Sequence, residues 1–238
     1  MNPLATLRSS GLLFVHKPSG PSSYDMIRWI KRHLKDVKIG HSGTLDPLAS
    51  GLMIILLGKA TKLQSQFMGL DKVYRCRMRL GVKTDSGDIT GNVLQEGPVL
   101  PVSPIDIERV FKNFVGEVKQ TPPMYSALKH EGTPLYKLAR RGIEVDRPER
   151  TITIHSLVFL DILSPTDIVF RVHCSSGTYV RSLVEEFGAA LGACATVVEL
   201  VRESIGRFSL DQAISGESLK TMTADEVWAK ALNPEGVQ

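Results

Sequence analysis

The chain has 238 residues, with 29 Lys and Arg against 25 Asp and Glu, a formal net charge of +4. Hydrophobic residues make up 42% and charged residues 23%, an ordinary balance for a folded chain that excludes a disordered or fibrous protein. The longest strictly apolar run, Leu52 to Leu57, is far shorter than the roughly 20 residues a membrane-spanning helix needs, and Cys76, Cys174 and Cys194 form no C-x-x-C pair, which argues against a disulfide framework or a cysteine zinc site and suits a reducing cytoplasm.

Residues 1–20 hold no long apolar core and no cleavage site, so no secretory leader is read there. LLFVH (12–16) reads as a short buried strand. Ser22 and Ser23 after Pro21 offer an N-cap, and Ile27, Ile30 and Leu34 recur at helical spacing. Residues 40–51, GHSGTLDPLASG, form a loop before a core strand, LMIILL (52–57), and a helix follows from Lys59. In VYRCRMRLGV (73–82) the period is two: Tyr74, Cys76, Met78 and Leu80 share one face, and Arg75, Arg77 and Arg79 share the other. TDSGDITG (84–91) is a turn-rich loop. Ser103-Pro104 starts a helix that turns Ile107, Val110, Phe111 and Phe114 inward.

The stretch 121–150 mixes Pro, Gly, basic residues and tyrosines around one short helix near 134–141 and reads as an exposed excursion. TITIHSLVFLDIL and IVFRVHC alternate as long strands. SSGTYVRSLVEEFGAAL is a turn and then a helix with Val180, Leu183, Val184 and Phe187 inward, and the chain from about 209 is a short amphipathic tail. Alternating strands with interspersed helices make this α+β rather than doubly wound.

The charge is unevenly spread. Residues 208–238 carry a net −3, so residues 1–207 carry +7. Basic residues cluster over 28–38, 72–83 and 137–150, patterns that either neutralise nucleic-acid phosphates or are plain solvated faces. Two resemblances to ligand motifs fail. Gly58-Lys59 lacks the spacing of a phosphate-binding loop, and the residues between Asp85 and Glu96 lack calcium ligands. No metal or cofactor motif remains.

The informative residue is Asp46, a lone carboxylate in the Gly-bounded loop. Taken alone, Asp46-Pro47 is a natural helix N-cap pair. GHSGTLDPLASG as a whole, however, resembles the active-site motif of the TruB family of tRNA pseudouridine synthases. HKPSGPSS (16–23), KVYRCRMRLG (72–81), TDSGDITG (84–91), TPPMYSALK (121–129), LYKLARRGIEV (135–145) and CSSGTYVRSL (174–183) resemble further segments of that family in the same order. The likeness runs from about Gly11 to about Phe208. Many family members continue into a small RNA-binding PUA domain, and the roughly 30 residues beyond the match are too few for one.

The resemblance implies a pseudouridine-synthase-type α+β fold, a mixed, largely antiparallel sheet flanked by helices. Residues 1–208 would be the catalytic domain, 121–150 a mobile insertion that covers RNA, and 209–238 a short tail. It implies isomerisation of uridine 55 in the TΨC loop of tRNA by base flipping, without cofactor or metal, in a cytoplasmic monomer that contacts the T-arm and no membrane. The alternatives are a synthase acting on another RNA stem-loop, and a tRNA-binding or folding factor with dispensable catalysis. By resemblance Asp46 is the catalytic carboxylate, Arg181 the guanidinium that keeps it ionised, and Tyr74 the platform for the flipped base. Periodicity alone would place Tyr74 in the core. Tyr179 removes the C5 proton or packs near Arg181. His41 helps open the loop, Lys17 bonds backbone or RNA phosphate, and Asp88 orients RNA or braces the active-site loop. Lys129, Arg140 and Arg141 belong to the RNA-covering segment.

Overall fold

The structure is a computed structural model that describes residues 9–234. Residues 1–8 and 235–238, which hold part of the leader reading and the end of the tail, lie outside the described residues. In chain order the elements are β1 (Ser10–Lys17), α1 (Ser23–Lys31), β2 (Ile39–His41), β3 (Ser50–Gly58), α2 (Gln64–Gly69), β4 (Lys72–Leu80), β5 (Val82–Thr84) and β6 (Val93–Glu96). There follow α3 (Pro104–Lys112), β7 (Gly116–Gln120), β8 (Lys129–His130), β9 (Thr133–Pro134), α4 (Leu135–Ala139), β10 (Arg150–Ile162) and β11 (Asp167–Cys174). The last elements are α5 (Val180–Ala190), β12 (Ala195–Ile205), β13 (Phe208–Ser209), β14 (Ile214–Ser215) and α6 (Ala224–Lys230). The fold is a mixed, largely antiparallel sheet flanked by helices, as expected. Contacts divide the chain into two compact units, Met1–Val73 with Val201–Gln238, and Tyr74–Leu200.

In the first unit the strand order is β14-β1-β3-β12. β1 and β3 pair antiparallel in unbroken register from Ser10↔Gly58 to Lys17↔Gly51, while β12 joins β3 in parallel through Val201↔Ser50 and Arg202↔Gly51. Every residue of β3 from Gly51 to Leu57 is buried, which is why its sequence is continuously apolar rather than alternating. Leu12, Phe14, Leu52, Ile54, Leu56, Phe67 and Phe208 form the core under it. α1 starts where Ser22 accepts the Asp25 amide and Asp25 returns the bond to Ser22, a capping box that satisfies two otherwise open donors. The helix buries Met26, Ile27, Trp29 and Ile30. The segment read as an amphipathic tail is built into this unit: β14 pairs in parallel with β1, Leu12 and Leu232 exchange backbone bonds of 2.9 and 2.8 Å, and Leu219 and Val227 are fully buried.

In the second unit the order is β12-β4-β11-β10-β7. β10 runs antiparallel to both β11 and β7, with irregularities at Ile154/Ser156 and Phe159/Asp161. α3 begins at a Ser103/Asp106 capping box with Pro104 in its first turn. It meets α5 and β11 in an aromatic cluster, with Phe111 and Phe187 centroids 4.8 Å apart and Phe170 and Phe187 5.4 Å apart. Val180, Leu183, Val184 and Phe187 of α5 are buried as expected.

β4 keeps the expected alternation: Cys76, Met78 and Leu80 are buried and Tyr74 is half-buried. Its arginine face is engaged by acids. Arg79 reaches both Asp167 oxygens, at 2.7 and 3.0 Å, Arg77 binds the same carboxylate, and Arg75 pairs with Glu199 at 3.1 Å. Cys76 and Cys174 are buried and Cys194 is half-buried, none of them in a disulfide, and burial pushes the Cys76 thiol strongly up. Among the described residues no helix is long and apolar enough to cross a membrane.

Candidate active site

Asp46 lies half-buried on the connection between β2 and β3. Residues 42–49 form no helix, so Asp46 caps none, and the N-cap reading falls. The chain on both sides of it is pinned. Ser23 at the start of α1 donates its hydroxyl to the Leu45 carbonyl at 2.9 Å and accepts the Leu45 amide at 2.8 Å. The Pro47 carbonyl accepts the Gly20 amide at 2.8 Å, and Leu45 and Ala49 are buried anchors. Ser42 is fully buried and exchanges bonds with Ile54, its amide donating at 3.0 Å and its hydroxyl accepting at 3.2 Å. A flexible glycine-rich stretch is thereby held in one shape.

Two buried cations support this loop. Lys17 is fully buried, and its ammonium donates to the carbonyls of Pro18 at 2.9 Å, Pro21 at 2.6 Å and Pro47 at 3.3 Å. Those three bonds use all its donors, so of its two expected roles the structure has the backbone bonding. Burial brings its pKa down to about 8, opposed by the nearby charge of Asp46 and reinforced by Arg202. Arg202, 1% exposed, donates from Nε to the Leu52 carbonyl at 2.7 Å and from Nη2 to the Gly43 carbonyl at 3.1 Å. One guanidinium thus ties the start of the loop to the strand that follows it. Gly51, at φ +113°, lets β3 press against β12: a Cβ there would stand 2.3 Å from the Arg202 carbonyl oxygen.

His41 is half-buried, and its Nδ1 accepts the Gly43 amide at 3.2 Å. Burial, with the Arg202 charge adding, lowers its pKa. A ring whose charged form is disfavoured in this way offers shape and polarity more than a phosphate-binding charge.

In the second unit the functional candidates gather at the start of α5. Tyr179 occupies the N-cap position without capping by its side chain. Instead the Gln120 amide bonds its backbone both ways, accepting from its N–H at 2.8 Å and donating to its carbonyl at 3.1 Å. The Arg150 guanidinium lies 4.6 Å from the Tyr179 ring centroid. Arg181, 5% exposed, donates to the carbonyls of Ser86 and Tyr125, the latter at 2.7 Å. The TDSGDITG loop packs against it: a Cβ on Gly87, at φ +75°, would lie 3.2 Å from Arg181 Cβ. Asp88 shapes that loop, accepting from the Thr90 amide at 3.0 Å and from the Ser86 hydroxyl at 3.1 Å, and only 6% of it is exposed. Of its two expected roles, bracing the loop is the one in view. Lys129, Arg140 and Arg141 are exposed, and the Arg140 guanidinium lies 5.6 Å from the Tyr136 ring.

Sequence reading passed over Arg202, Gln120 and the Tyr125 carbonyl. A signal for Arg202 was present. In ATVVELVRESI it stands two residues after Leu200, on the inward face of an apolar strand, where a charge is rarely placed without a job.

Comparison with known proteins is specific. The model of the TruB family pseudouridylate synthase N-terminal domain matches residues 31–180. The chain is 42% identical to the tRNA pseudouridine synthase B of Bordetella avium, over 94% of this chain and 92% of that one. It is 46% identical to the protein of that name from Fusobacterium nucleatum, over 84% of this chain and 69% of that one. A solved chain from a Cbf5-Nop10-Gar1 complex superposes with a TM-score of 0.74 at 29% identity, covering 98% of this chain and 62% of that one. The chain belongs to the TruB family of pseudouridylate synthases. It is an enzyme of the isomerase class.

Proposed function

We propose that this protein converts uridine 55 in the TΨC loop of tRNA to pseudouridine, with Asp46 as the catalytic carboxylate. The substrate class follows from relatives named as tRNA pseudouridine synthases. The observation that carries the reading is the setting of Asp46, half-exposed while its neighbours Leu45 and Pro47 are hydrogen-bonded to buried groups. A carboxylate held this way keeps one orientation toward an incoming sugar.

The reaction breaks the N1–C1′ bond of the uridine, turns the uracil over in place and forms a C5–C1′ bond. C5 gives up its proton and N1 takes one up, so no oxidant or reductant is needed. Asp46 acts by adding to the nucleotide or by helping remove a sugar proton. Arg181 supplies the cation that keeps the carboxylate ionised once RNA excludes water. Tyr74 receives the everted base, which offsets the few kcal/mol that unstacking costs. Tyr179 serves the C5 proton or the packing near Arg181, His41 fills space in the opened loop, and residues 121–150, with Lys129, Arg140 and Arg141, close over the T-arm. The residues assigned to catalysis all lie within 1–208, while the segment beyond completes the unit that carries Asp46.

The test is Asp46→Asn assayed by tritium release from C5-labelled uridine in unmodified tRNA. Turnover is expected to fall about a thousandfold or more; near-normal turnover overturns the assignment. Site-resolved mapping of the treated tRNA is expected to find pseudouridine at position 55, and modification elsewhere would overturn that specificity.

A further inference from the structure

We propose that the solvent face of α1 and the turn after it form a second RNA contact, a basic strip that grips the backbone of the strand flanking the target nucleotide. The location of that nucleotide rests on the reading of Asp46 above. α1 docks by Met26, Ile27, Trp29 and Ile30. Its opposite stripe, Tyr24, Arg28 and Lys31, follows i, i+4, i+7 spacing and is exposed, and Arg32, Lys35 and Lys38 extend the exposed charge beyond the helix.

Three observations separate this strip from an ordinary solvated face. Tyr24 is 64% exposed, with the Arg28 guanidinium 5.5 Å from its ring centroid, a cation and an aromatic face presented together to solvent. Such a pair accepts a ribose or base edge and a phosphate side by side. Asp25 bonds the Ser22 amide at 2.8 Å and pairs with Arg28 at 3.2 Å, which cancels that one charge, so within the stretch Lys31, Arg32, Lys35 and Lys38 stand against Asp36. The negative end of the helix dipole accounts for Arg28 and Lys31 in the last turn, but its influence fades within a turn and does not account for Lys35 or Lys38.

Position gives the strip its partner. Ser23, in the first turn, holds Leu45 by two hydrogen bonds, so the strip begins beside the loop that carries Asp46. From Ser23 to Lys31 the helix rises about 12 Å. That is roughly three or four stacked nucleotides at about 3.4 Å each. A strand leaving an everted nucleotide at Asp46 would pass Tyr24 and Arg28 over that distance and reach the exposed Lys31, Arg32, Lys35 and Lys38 at its far end.

The experiment compares wild type with Lys31→Glu/Arg32→Glu/Lys35→Glu, measuring Kd for unmodified tRNA by filter binding across salt concentrations. A control, Arg109→Glu/Lys112→Glu/Lys119→Glu, makes the same charge change on exposed residues of α3 and β7. The strip variant is expected to raise Kd about tenfold or more and to flatten the salt slope by about 2, with the kinetic loss in KM more than in kcat. The control is expected to shift Kd less than threefold. Unchanged Kd and slope in the strip variant overturn the proposal, as does an equal loss in the control. Kd reads binding alone, so it is separable from the catalytic reading: an active Asp46→Asn enzyme beside a weakly binding strip variant would overturn only the assignment of Asp46.

Discussion

Arg202 has no contact to offer RNA, being 1% exposed, yet its guanidinium bridges the carbonyls of Gly43 and Leu52. Buried carbonyls that lose their donor keep the desolvation cost without the bond, about 1–3 kcal/mol each. Arg202→Met is therefore expected to lower stability by about 2–4 kcal/mol and to let the Asp46 loop drift. Because a small misplacement of a catalytic group costs on the order of a hundredfold, turnover should fall by tens- to a hundredfold while tRNA Kd stays within about threefold. Thermal melts, single-turnover rates and filter binding check this; a variant that melts lower but turns over normally would show that the bridge serves folding alone. The ordered set of motifs singled out the loop and, by resemblance, the carboxylate proposed here as catalytic. It did not identify the support, because Lys17 and Arg202 lie 29 and 156 positions from Asp46 in the chain and meet it only through strand pairing.

At the scale of elements, β4 and β11 are joined by charge as well as by backbone. Asp167, with its side chain 3% exposed, takes bonds from Arg79 and Arg77, and these hold its carboxyl below the usual carboxylate range. A lowered carboxylate pKa means that the ion pair stabilises the fold above the unfolded value of about 3.9 and that this contribution is lost as pH falls through the lower native value. Asp167→Asn is expected to cost roughly 1–3 kcal/mol at pH 7, less than a fully buried broken pair because the arginines are a third exposed. The gap in melting temperature between wild type and variant should close as pH drops below about 4; a gap independent of pH would rule the charge out. The alternation of β4 was legible as a two-residue period, but the partner of its arginines was not, since Asp167 is 90 residues from Arg77. β12 went unassigned for a related reason. A buried arginine and a parallel pairing to β3 break the simple alternation that marks a half-exposed strand. β14 is two residues long and exists through its pairing with β1, which no local pattern announces.

For the molecule as a whole, the alternation of residues was enough to place the chain in an α+β class and the order of its motifs to place it in its family, because both depend on residue type and spacing. What they missed was tertiary: which cations are consumed by partners and which remain in water. The basic stretch over 72–83 contains arginines already engaged by Asp167 and Glu199, whereas Lys31 at the end of α1 and Arg32, Lys35 and Lys38 beyond it are exposed. The same distinction between reachable and sequestered groups applies to sulfur. Of the three thiols, Cys76 and Cys174 have no exposed surface, and Cys194 alone borders solvent. An alkylating reagent should therefore add one label to the native protein and three to the denatured one. Mass spectrometry of the second and third labels then times the opening of the second unit's core, and their arrival as fast as the first would mean that this core breathes far more than its packing implies.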